Sequence, residues 1–356
     1  MQKVSALIFI ALFLGGAGTG MGGYIAYQFV SGALLGPEGA AGPTGGTGPQ
    51  GPPGSQGPAG VNGTNGQNGT NGPLILKGNY EGDHIFGIAT VPANASVILR
   101  NGNFYGTNLY VYGNLTMEKA NLYLEIWPLG NSYTVFNNTR WLGEPAGLAD
   151  WTYSLLVPAN ATVTFLNQVG FIETGNYYFR LYSSGNSRIN FLGTNHPGGM
   201  FDIRGQSRFI IDDSVLGPTK LTAWENASIS IQYTDLVGAV GLYVWTFWDD
   251  SAFSAQNVTV RGPYEPVFYF YASSTATLWN SSFDKLDPHG NSSITIWNTR
   301  IVEVYGYDFA TLTIRTNSAL TDRLDAWNYF TAYLYQSEGC TISAQNLYDS
   351  AKVVLL

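Results

Sequence analysis

The chain has 356 residues, of which only 11% are charged, and its formal net charge is −8. The 16 lysines and arginines form no basic cluster, which argues against nucleic acid as a partner. A single cysteine, Cys340, excludes an internal disulfide framework, and the three histidines do not have the spacing of metal ligands. The sequence therefore predicts no metal site and no cofactor.

Residues 1–32 are apolar and rich in glycine. Lys3 precedes the run VSALIFIALFL, and the next charged residue is Glu38. A cleaved signal peptide has such a short apolar run followed by small residues, whereas an uncleaved anchor would use residues 4–30 to cross a membrane. We expect the anchor, because the apolar stretch continues past the glycines. In both alternatives the N-terminus stays inside and the rest of the chain becomes extracellular, at the cell surface or secreted.

Residues 33–74 contain an unbroken three-residue repeat. Glycine occupies every third position from Gly36 to Gly72, thirteen positions in all. Only glycine fits at the axis of a collagen triple helix, so the register predicts a collagen-like G-X-Y stalk that makes the chain a homotrimer, at most about 120 Å long. The last four triplets carry asparagine where proline is frequent earlier, which leaves a disordered single-chain spacer as the alternative.

Residues 75–356 predict one all-β domain built from a short repeat. The segments NASVILRN at 94–101, NATVTFLN at 160–167 and NSSITIWN at 291–298 alternate apolar and polar residues, as strands with one buried face do. We expect a degenerate copy at 131–138. The first apolar position of the copies falls at Val97, Met117, Val163, Ile189, Phe209, Ile229, Phe253, Ala276, Ile294, Leu312 and Ile342.

Four residues past this apolar position, most copies carry asparagine or aspartate. Asparagine tolerates the left-handed backbone of a sharp corner, and its amide can bond to the asparagine of the next coil. A repeat of about 22 residues with such a corner is typical of stacked coils. The residue after a corner, such as Thr299, is expected to be exposed. The predicted corner ladder comprises Asn101, Asn121, Asn167, Asp213, Asn257, Asn280, Asn298 and Asn346.

These features resemble the right-handed parallel β-helix family, which includes pectate lyases, polygalacturonases and phage tailspikes. The resemblance covers roughly residues 94–346 and rests on repeat length, alternation and corner asparagines, not on a catalytic motif. It implies a single-stranded β-helix of about twelve coils, near 60 Å long at roughly 4.8 Å per coil. A β-sandwich is the alternative fold. The N-terminal half resembles prokaryotic and viral collagen-like proteins, in which a G-X-Y run separates an anchor from a folded head.

The β-helix enzymes act through charged side chains on the outer face of successive coils, but this sequence identifies no catalytic residue. The polygalacturonase-type NTD, DD and GHG motifs are absent as a set. Asp284, Glu303 and Asp322 recur every 19 residues, and an aligned stripe of these acids would be a ligand site for Ca²⁺ or a sugar. Their offset within the repeat drifts, which favours exposed turn acids. Asp287 and His289 form an isolated pair.

Two aromatic segments lie about one coil apart, YVWTFW at 243–248 and YEPVFYFY at 264–271. If they stack inside the coils they belong to the core, which is the interpretation that we expect. An outward-facing aromatic strip would instead suit stacking against glycans.

Ten N-x-S/T sequons indicate a glycosylated surface on an exported chain. Asn257 and Asn280 also belong to the predicted ladder, which a glycan would break. Several others occupy the turn of the repeat, where turn chemistry alone accounts for asparagine. The predicted glycosylation sites are Asn62, Asn68, Asn94, Asn114, Asn137, Asn160, Asn226 and Asn291.

Together these features predict a non-enzymatic structural or adhesive fibre at the cell surface. Its partners are other copies of itself through the stalk, the membrane through residues 4–30, and surface glycans through the head. A carbohydrate-active β-helix enzyme, either a polysaccharide lyase or a glycosidase, is the first alternative. A viral tail-fibre or spike is the second, and the hydrophobic N-terminus argues against it.

Overall fold

A computed structural model describes residues 73–141, 155–171, 179–196, 198–217, 219–237, 244–261 and 267–356. From residue 74 onward the chain is a right-handed parallel β-solenoid of about 12 turns. The strands pair in parallel from coil to coil, which confirms the predicted all-β solenoid and excludes the β-sandwich. The predicted anchor, the predicted stalk up to Gly72, and the sequons at Asn62 and Asn68 lie outside the described residues.

The described residues contain thirty-two strands and one 3₁₀ turn, Gln336–Glu338. In this part of the chain we find no helix with the length and apolar character needed to cross a membrane. In chain order the strands are β1 Leu74–Ile75, β2 Gly78–Glu81, β3 His84–Val91, β4 Ser96–Arg100, β5 Asn103–Val111, β6 Asn114–Glu118, β7 Asn121–Pro128, β8 Tyr133–Trp141, β9 Leu155–Val157, β10 Thr162–Phe171, β11 Arg180–Ser183, β12 Arg188–His196, β13 Gly199–Ile203, β14 Arg208–Asp212, β15 Val215–Leu216, β16 Thr219–Ala223, β17 Ser228–Gln232, β18 Asp235–Val237, β19 Val244–Phe247, β20 Ala252–Gln256, β21 Thr259–Arg261, β22 Val267–Phe270, β23 Thr275–Trp279, β24 Ser282–Pro288, β25 Ser293–Trp297, β26 Arg300–Gly306, β27 Thr311–Arg315, β28 Ala319–Ala326, β29 Thr331–Leu334, β30 Thr341–Ile342, β31 Gln345–Leu347 and β32 Lys352–Leu355.

Each full coil contributes to three parallel sheets, called here the first, second and third sheets in their order along the coil. In one coil, β25 lies in the first sheet between β23 and β27. The following strand, β26, begins in the second sheet and ends in the third, where it pairs with the two halves of β24. The same order repeats from coil to coil, so equivalent residues stack at roughly 4.8 Å.

One inward position at the start of the first sheet defines the repeat, and the structure corrects its predicted membership. Met117 lies two residues further along its strand, opposite Leu99, and Ile342 pairs with Leu320 in the second sheet. A shift of two residues keeps the same strand face buried, so alternation alone did not fix the register. The predicted copy at 131–138 is confirmed as part of β8. The aligned positions are Val97, Leu115, Thr134, Val163, Ile189, Phe209, Ile229, Phe253, Ala276, Ile294, Leu312, Ala332 and Val353.

Left-handed backbone marks both ends of the first sheet. The first corner lies four residues after the aligned position, with φ between 44° and 60°, and comprises Asn101, Lys119, Asn138, Asn167, Gly193, Asp213, Tyr233, Asn257, Asn280, Asn298 and Thr316. The second corner lies four residues before it, with φ between 54° and 69°, and comprises Gly130, Ala159, Gly185, Gly205, Glu225, Asp249, Ala272, Gly290, Asp308, Asn328 and Asp349.

The first corner carries the amide ladder over three successive coils. Asn280 Nδ2 donates to Asn257 Oδ1 at 2.5 Å, and Asn298 Nδ2 donates to Asn280 Oδ1 at 2.8 Å. The structure corrects two of the predicted members, Asn121 and Asn346, which lie in strands β7 and β31. The prediction for these two residues is wrong because it counts four residues from Met117 and Ile342, the two misaligned positions. The other six predicted members have left-handed backbone at this corner.

A second ladder, made of hydroxyl groups, runs directly beside the amides. Thr299, expected to be exposed, is only 1% exposed. The backbone N–H of Ser281 donates to Thr299 Oγ1 at 3.3 Å, and the N–H of Thr299 donates to Ser318 Oγ at 3.1 Å. The sharp corner turns these amide groups away from the ordinary ladder of backbone bonds. A buried hydroxyl of the next coil supplies the acceptor that each one needs.

Both corner ladders should contribute measurably to the stability of the solenoid. We expect Asn298→Leu to lower the free energy of unfolding by about 1–3 kcal/mol, because leucine is strained in the left-handed backbone of this corner and the hydrogen bond to Asn280 is lost. Thr299→Val should cost a similar amount, since it removes the buried acceptor of the Ser281 N–H.

The matched control is Thr295→Val, which removes an outward, half-buried hydroxyl from the middle of β25. We expect a change of about 0.5 kcal/mol or less there. Urea denaturation of the three variants measures the differences. Equal effects of Thr299→Val and Thr295→Val would contradict the hydroxyl ladder.

Candidate functional site

The three acids of the predicted stripe do not share a row. Glu303 lies opposite Lys285 on one side and Arg323 on the other. The register shifts between Ile301 and Glu303, so Asp322 faces solvent out of line with it. The three acids are therefore out of line in the structure, as the drift in their sequence offset indicates. Glu303 lies between two cations, Lys285 and Arg323.

The predicted glycosylation sites that the structure describes differ in accessibility. Asn137 is half-buried and accepts a hydrogen bond from Asn167 Nδ2 at 2.7 Å. The bond holds the carbonyl oxygen of its amide, whereas a glycan attaches to the nitrogen, so partial burial is what separates Asn137 from the other sites. The exposed sites are Asn94, Asn114, Asn160, Asn226 and Asn291.

A column of stacked rings runs along the outside of the third sheet. Each ring belongs to the residue directly before a second-corner residue, and neighbouring centroids are 4.2–5.3 Å apart with interplanar angles of 6–22°. This aromatic column comprises Trp224, Trp248, Tyr271, His289, Tyr307, Trp327 and Tyr348. Each of the two aromatic segments therefore contributes residues to the core and to the column. The core contains Trp245, Phe247, Phe268 and Phe270, and the column contains Trp248 and Tyr271.

The column is closed to ligands along most of its length. Parallel stacking covers the faces of the inner rings and leaves their edges toward solvent, whereas a sugar stacks on a ring face. At one end the Arg204 guanidinium lies 5.4 Å from the centre of the Trp224 ring. Asp202 holds that guanidinium through two hydrogen bonds of 2.8 and 2.9 Å. The arrangement stabilises the stack of coils.

A polar cluster lies next to the column on the same outer face. Asp287 Oδ1 is 2.8 Å from His289 Nε2, so the pair that looked isolated in sequence is built into the stack of rings. In the following coils Tyr305 Oη donates to Glu303 Oε2 at 3.0 Å, and Arg323 donates to Tyr305 Oη. We call Lys285, Asp287, Glu303, Tyr305, Arg323 and Asp325 the third-sheet cluster.

Cations and amides partner the acids of this cluster. Arg323 Nε is 3.5 Å from Glu303 Oε1 and 3.6 Å from Asp325 Oδ2. Asn346 Nδ2 donates to Asp325 Oδ1 at 2.7 Å, so the residue misplaced in the corner ladder has a role here. Lys285 Nζ lies 3.9 Å from the centre of the Tyr305 ring, within cation–π range.

Tyrosines around Asp287 hold their protons tightly. Burial, followed by the negative charge of Asp287, raises the pKa of Tyr269, Tyr271 and Tyr307 above 10.0. Burial also raises the pKa of Tyr305, helped by its bond to Glu303 and opposed by Arg323. These phenols are therefore hydrogen-bond donors at neutral pH.

Asp287 and Asp325 are the two acids whose arrangement can be compared with that of a glycosidase, and each is 8% exposed. They occupy the same row with Tyr305 between them, so their backbones are two coils, or roughly 10 Å, apart. Glycosidases hold their two carboxyl groups ~5–5.5 Å apart when retaining and ~6.5–9.5 Å apart when inverting, and here Tyr305 occupies the position between the two acids. Among the described residues, no group of three or more His, Cys, Asp or Glu side chains is placed to hold a metal ion.

Sequence reasoning missed the aromatic column, although a pattern for it exists. An aromatic residue stands five positions before the aligned core position in seven successive coils, beginning with Trp224 before Ile229. The third-sheet cluster has no such sequence pattern, because its charged residues lie in different rows. Their side chains are long enough to contact one another across the rows. Comparison with protein-family models, with curated proteins and with solved structures finds no match to this chain.

The raised tyrosine pKa values predict a stability window at alkaline pH. A phenol with a raised folded-state pKa contributes stability that is complete below the unfolded pKa near 10 and is lost as the pH rises through the folded value. Asp287→Asn removes the charge and should lower the pKa of Tyr269, Tyr271 and Tyr307. Difference titration of tyrosinate absorbance, variant against wild type, measures the shift.

Asp322→Asn is the control, because Asp322 is exposed and does not influence these phenols. It should leave the alkaline titration unchanged. An identical titration for Asp287→Asn and wild type would contradict the proposed coupling.

Proposed function

We propose that this chain is a non-enzymatic fibre of the cell surface. In this proposal residues 1–32 export or anchor the chain, residues 33–74 form a trimeric collagen-like stalk, and the β-solenoid is the displayed head. The observation that carries the proposal is the junction between the repeats. The solenoid begins at Leu74, two residues after Gly72, the last glycine of the G-X-Y register. The glycine register and the first strand of the solenoid are therefore almost contiguous in sequence.

The construction of the head supports a structural or adhesive role. Its corners hold amide and hydroxyl ladders and its third sheet holds a closed aromatic column, all of which tie one coil to the next. Arg323 and Asn346 engage Glu303 and Asp325, and the His289 ring lies beside Asp287, whereas a general base needs an available carboxylate. A head whose outer side chains mostly pair with those of the next coil is better suited to display than to catalysis.

The function would operate through reach and multivalency. A triple-helical stalk would carry the heads up to about 120 Å from its base. Three heads on one stalk convert later binding events into local ones, which raises avidity without tight single contacts. The exposed sequons at Asn94, Asn114, Asn160, Asn226 and Asn291 would carry glycans on an exported chain.

A carbohydrate-active enzyme on the same stalk is the second candidate, and one observation favours it. Asp287 and Asp325 face outward in one row, bordered by tyrosines and by Lys285 and Arg323. Acid pairs across a groove are the machinery of glycoside hydrolysis, and basic residues would bind acidic polysaccharides. Tyr305 lies between the two acids, and both acids have close partners, so this function is the second candidate.

The stalk should determine the oligomeric state. We expect fragment 33–356 to be a trimer and fragment 75–356 to be largely monomeric. Gly54→Asp forces a charged side chain into the axis and should break the triple helix in its proline-rich part. Light scattering measures the mass, and circular dichroism detects the triple helix at low temperature.

Ser55→Asp is the matched control, because its position points away from the axis and should tolerate the same charge. If fragment 33–356 is a monomer in the cold, or if both variants behave alike, the segment is a spacer and the fibre has one head.

An activity assay separates the two candidate functions. We expect no release of reducing ends or unsaturated uronates from pectate and from soluble glycans by the wild-type protein. If release occurs and Asp287→Asn or Asp325→Asn abolishes it, the enzyme replaces the fibre as the conclusion. Release that persists in both variants would indicate a contaminating activity.

A further inference from the structure

Four neighbouring strands of the first sheet present an outer face without charged side chains. Strands β17, β20, β23 and β25 align residue by residue and alternate buried and outward positions. The adjoining strands carry outward charges, namely Arg208 and Asp212 in β14 and Arg315 in β27. We call the uncharged outward positions between them the neutral face: Ser228, Ser230, Gln232, Ala252, Ser254, Gln256, Thr275, Thr277, Trp279, Ser293, Thr295 and Trp297.

A shallow groove crosses this face. Its lining includes the polar side chains of Gln232, Ser254, Gln256 and Thr277, together with Trp279. The space of about 360 Å³ lies within the range of small-ligand sites. The polar groups of the groove are amides and hydroxyls, which donate and accept hydrogen bonds without carrying charge.

Trp279 gives the groove an open aromatic face. The indole is 52% exposed. One side of its ring stacks on Trp297, with the centroids 5.9 Å apart and an interplanar angle of 25°. The other side is directed to the preceding coil, where Gln256 and the groove lie. The aromatic column of the third sheet lacks this feature, because its inner rings cover one another.

We propose that this groove binds an uncharged sugar of a neutral glycan. The sugar ring packs its C–H face on Trp279, and its hydroxyls exchange hydrogen bonds with Gln232, Gln256, Ser254 and Thr277. This assignment rests on the proposed adhesive function and names the ligand class of the head. It lies on a different sheet from the Asp287–Asp325 row.

Charge and shape select this ligand over others. An acidic polysaccharide or a nucleic acid needs cations, which these four strands do not present outward. An apolar peptide would leave the hydroxyls and amides without partners. The rows of serine and threonine also present regularly spaced hydroxyls, as an ice-binding surface would, but the concave groove and the projecting indole favour a ring-sized ligand over a flat lattice.

The test uses full-length protein, in detergent if needed, with affinity electrophoresis through gels containing soluble glucan, galactan, mannan or xylan. We expect at least one of these neutral polysaccharides to retard the wild-type protein. Trp279→Ala should weaken binding by about tenfold or more through loss of the stacking surface. Trp279→Phe keeps an aromatic face and should restore most of the retardation.

Tyr329→Ala is the matched control, because Tyr329 is another exposed aromatic residue and lies at the second corner, away from the neutral face. It should bind like the wild type. Thermal unfolding of each variant shows whether the fold is retained, and Trp279→Phe provides the comparison if Trp279→Ala unfolds.

Three outcomes would overturn the site. They are no retardation by any of the four polysaccharides, equal binding by Trp279→Ala and wild type, or ice-growth inhibition without glycan binding. A fifth gel contains polygalacturonate, and retardation in that gel alone would move the ligand to the third sheet. Light scattering of the same samples tests the stalk separately, so a failed groove and a failed fibre are distinguishable.

Discussion

The parallel register between successive coils is the constraint on which the rest of this molecule depends. Backbone hydrogen bonds align each coil with the next at roughly 4.8 Å, so a side chain always meets the equivalent side chain above and below it. A polar side chain at a corner therefore meets its partner in its own row. Asn280 does so between Asn257 and Asn298, and Thr299 does so between Ser281 and Ser318. Stacking of like on like also builds the aromatic column.

The same constraint gives each face a distinct chemistry. Rows on the third sheet accumulate rings and opposite charges, and these satisfy one another through contacts such as Arg323 with Glu303 and Asp325. Rows on the first sheet accumulate hydroxyls and amides over four coils, with the Trp279 ring left half uncovered. A self-satisfied face holds the rod together, whereas a face with unused hydrogen-bonding groups and an open ring is available to a ligand. The proposed fibre needs both kinds.

Most of the fold of the head could be predicted from the sequence, because the residues that specify each coil are close together in sequence and recur from coil to coil. Alternation identified the strands, and asparagine tolerance of left-handed backbone identified six corner positions correctly. The errors at Met117 and Ile342 have different causes. Ile342 lies in the second sheet, where apolar and polar residues also alternate. Met117 is two residues past Leu115, and a shift of two residues preserves the inward face. Only the pairing of whole coils resolves such a shift, because it compares every row at once.

The sequence by itself determined the repeat, the all-β class, the low charge and the glycine register that precedes Leu74. Tertiary structure alone decided which outward residues become neighbours. Glu303 meets Lys285 through the regular register of β24 and β26, and it meets Arg323 instead of Asp322 because a bulge in β28 changes the register within one strand. Thr299 is buried because the next coil covers it. Trp279 stays open because its row contains glutamine on one side and tryptophan on the other, an adjacency that residues 23 and 18 positions away in the chain create only when the coils stack.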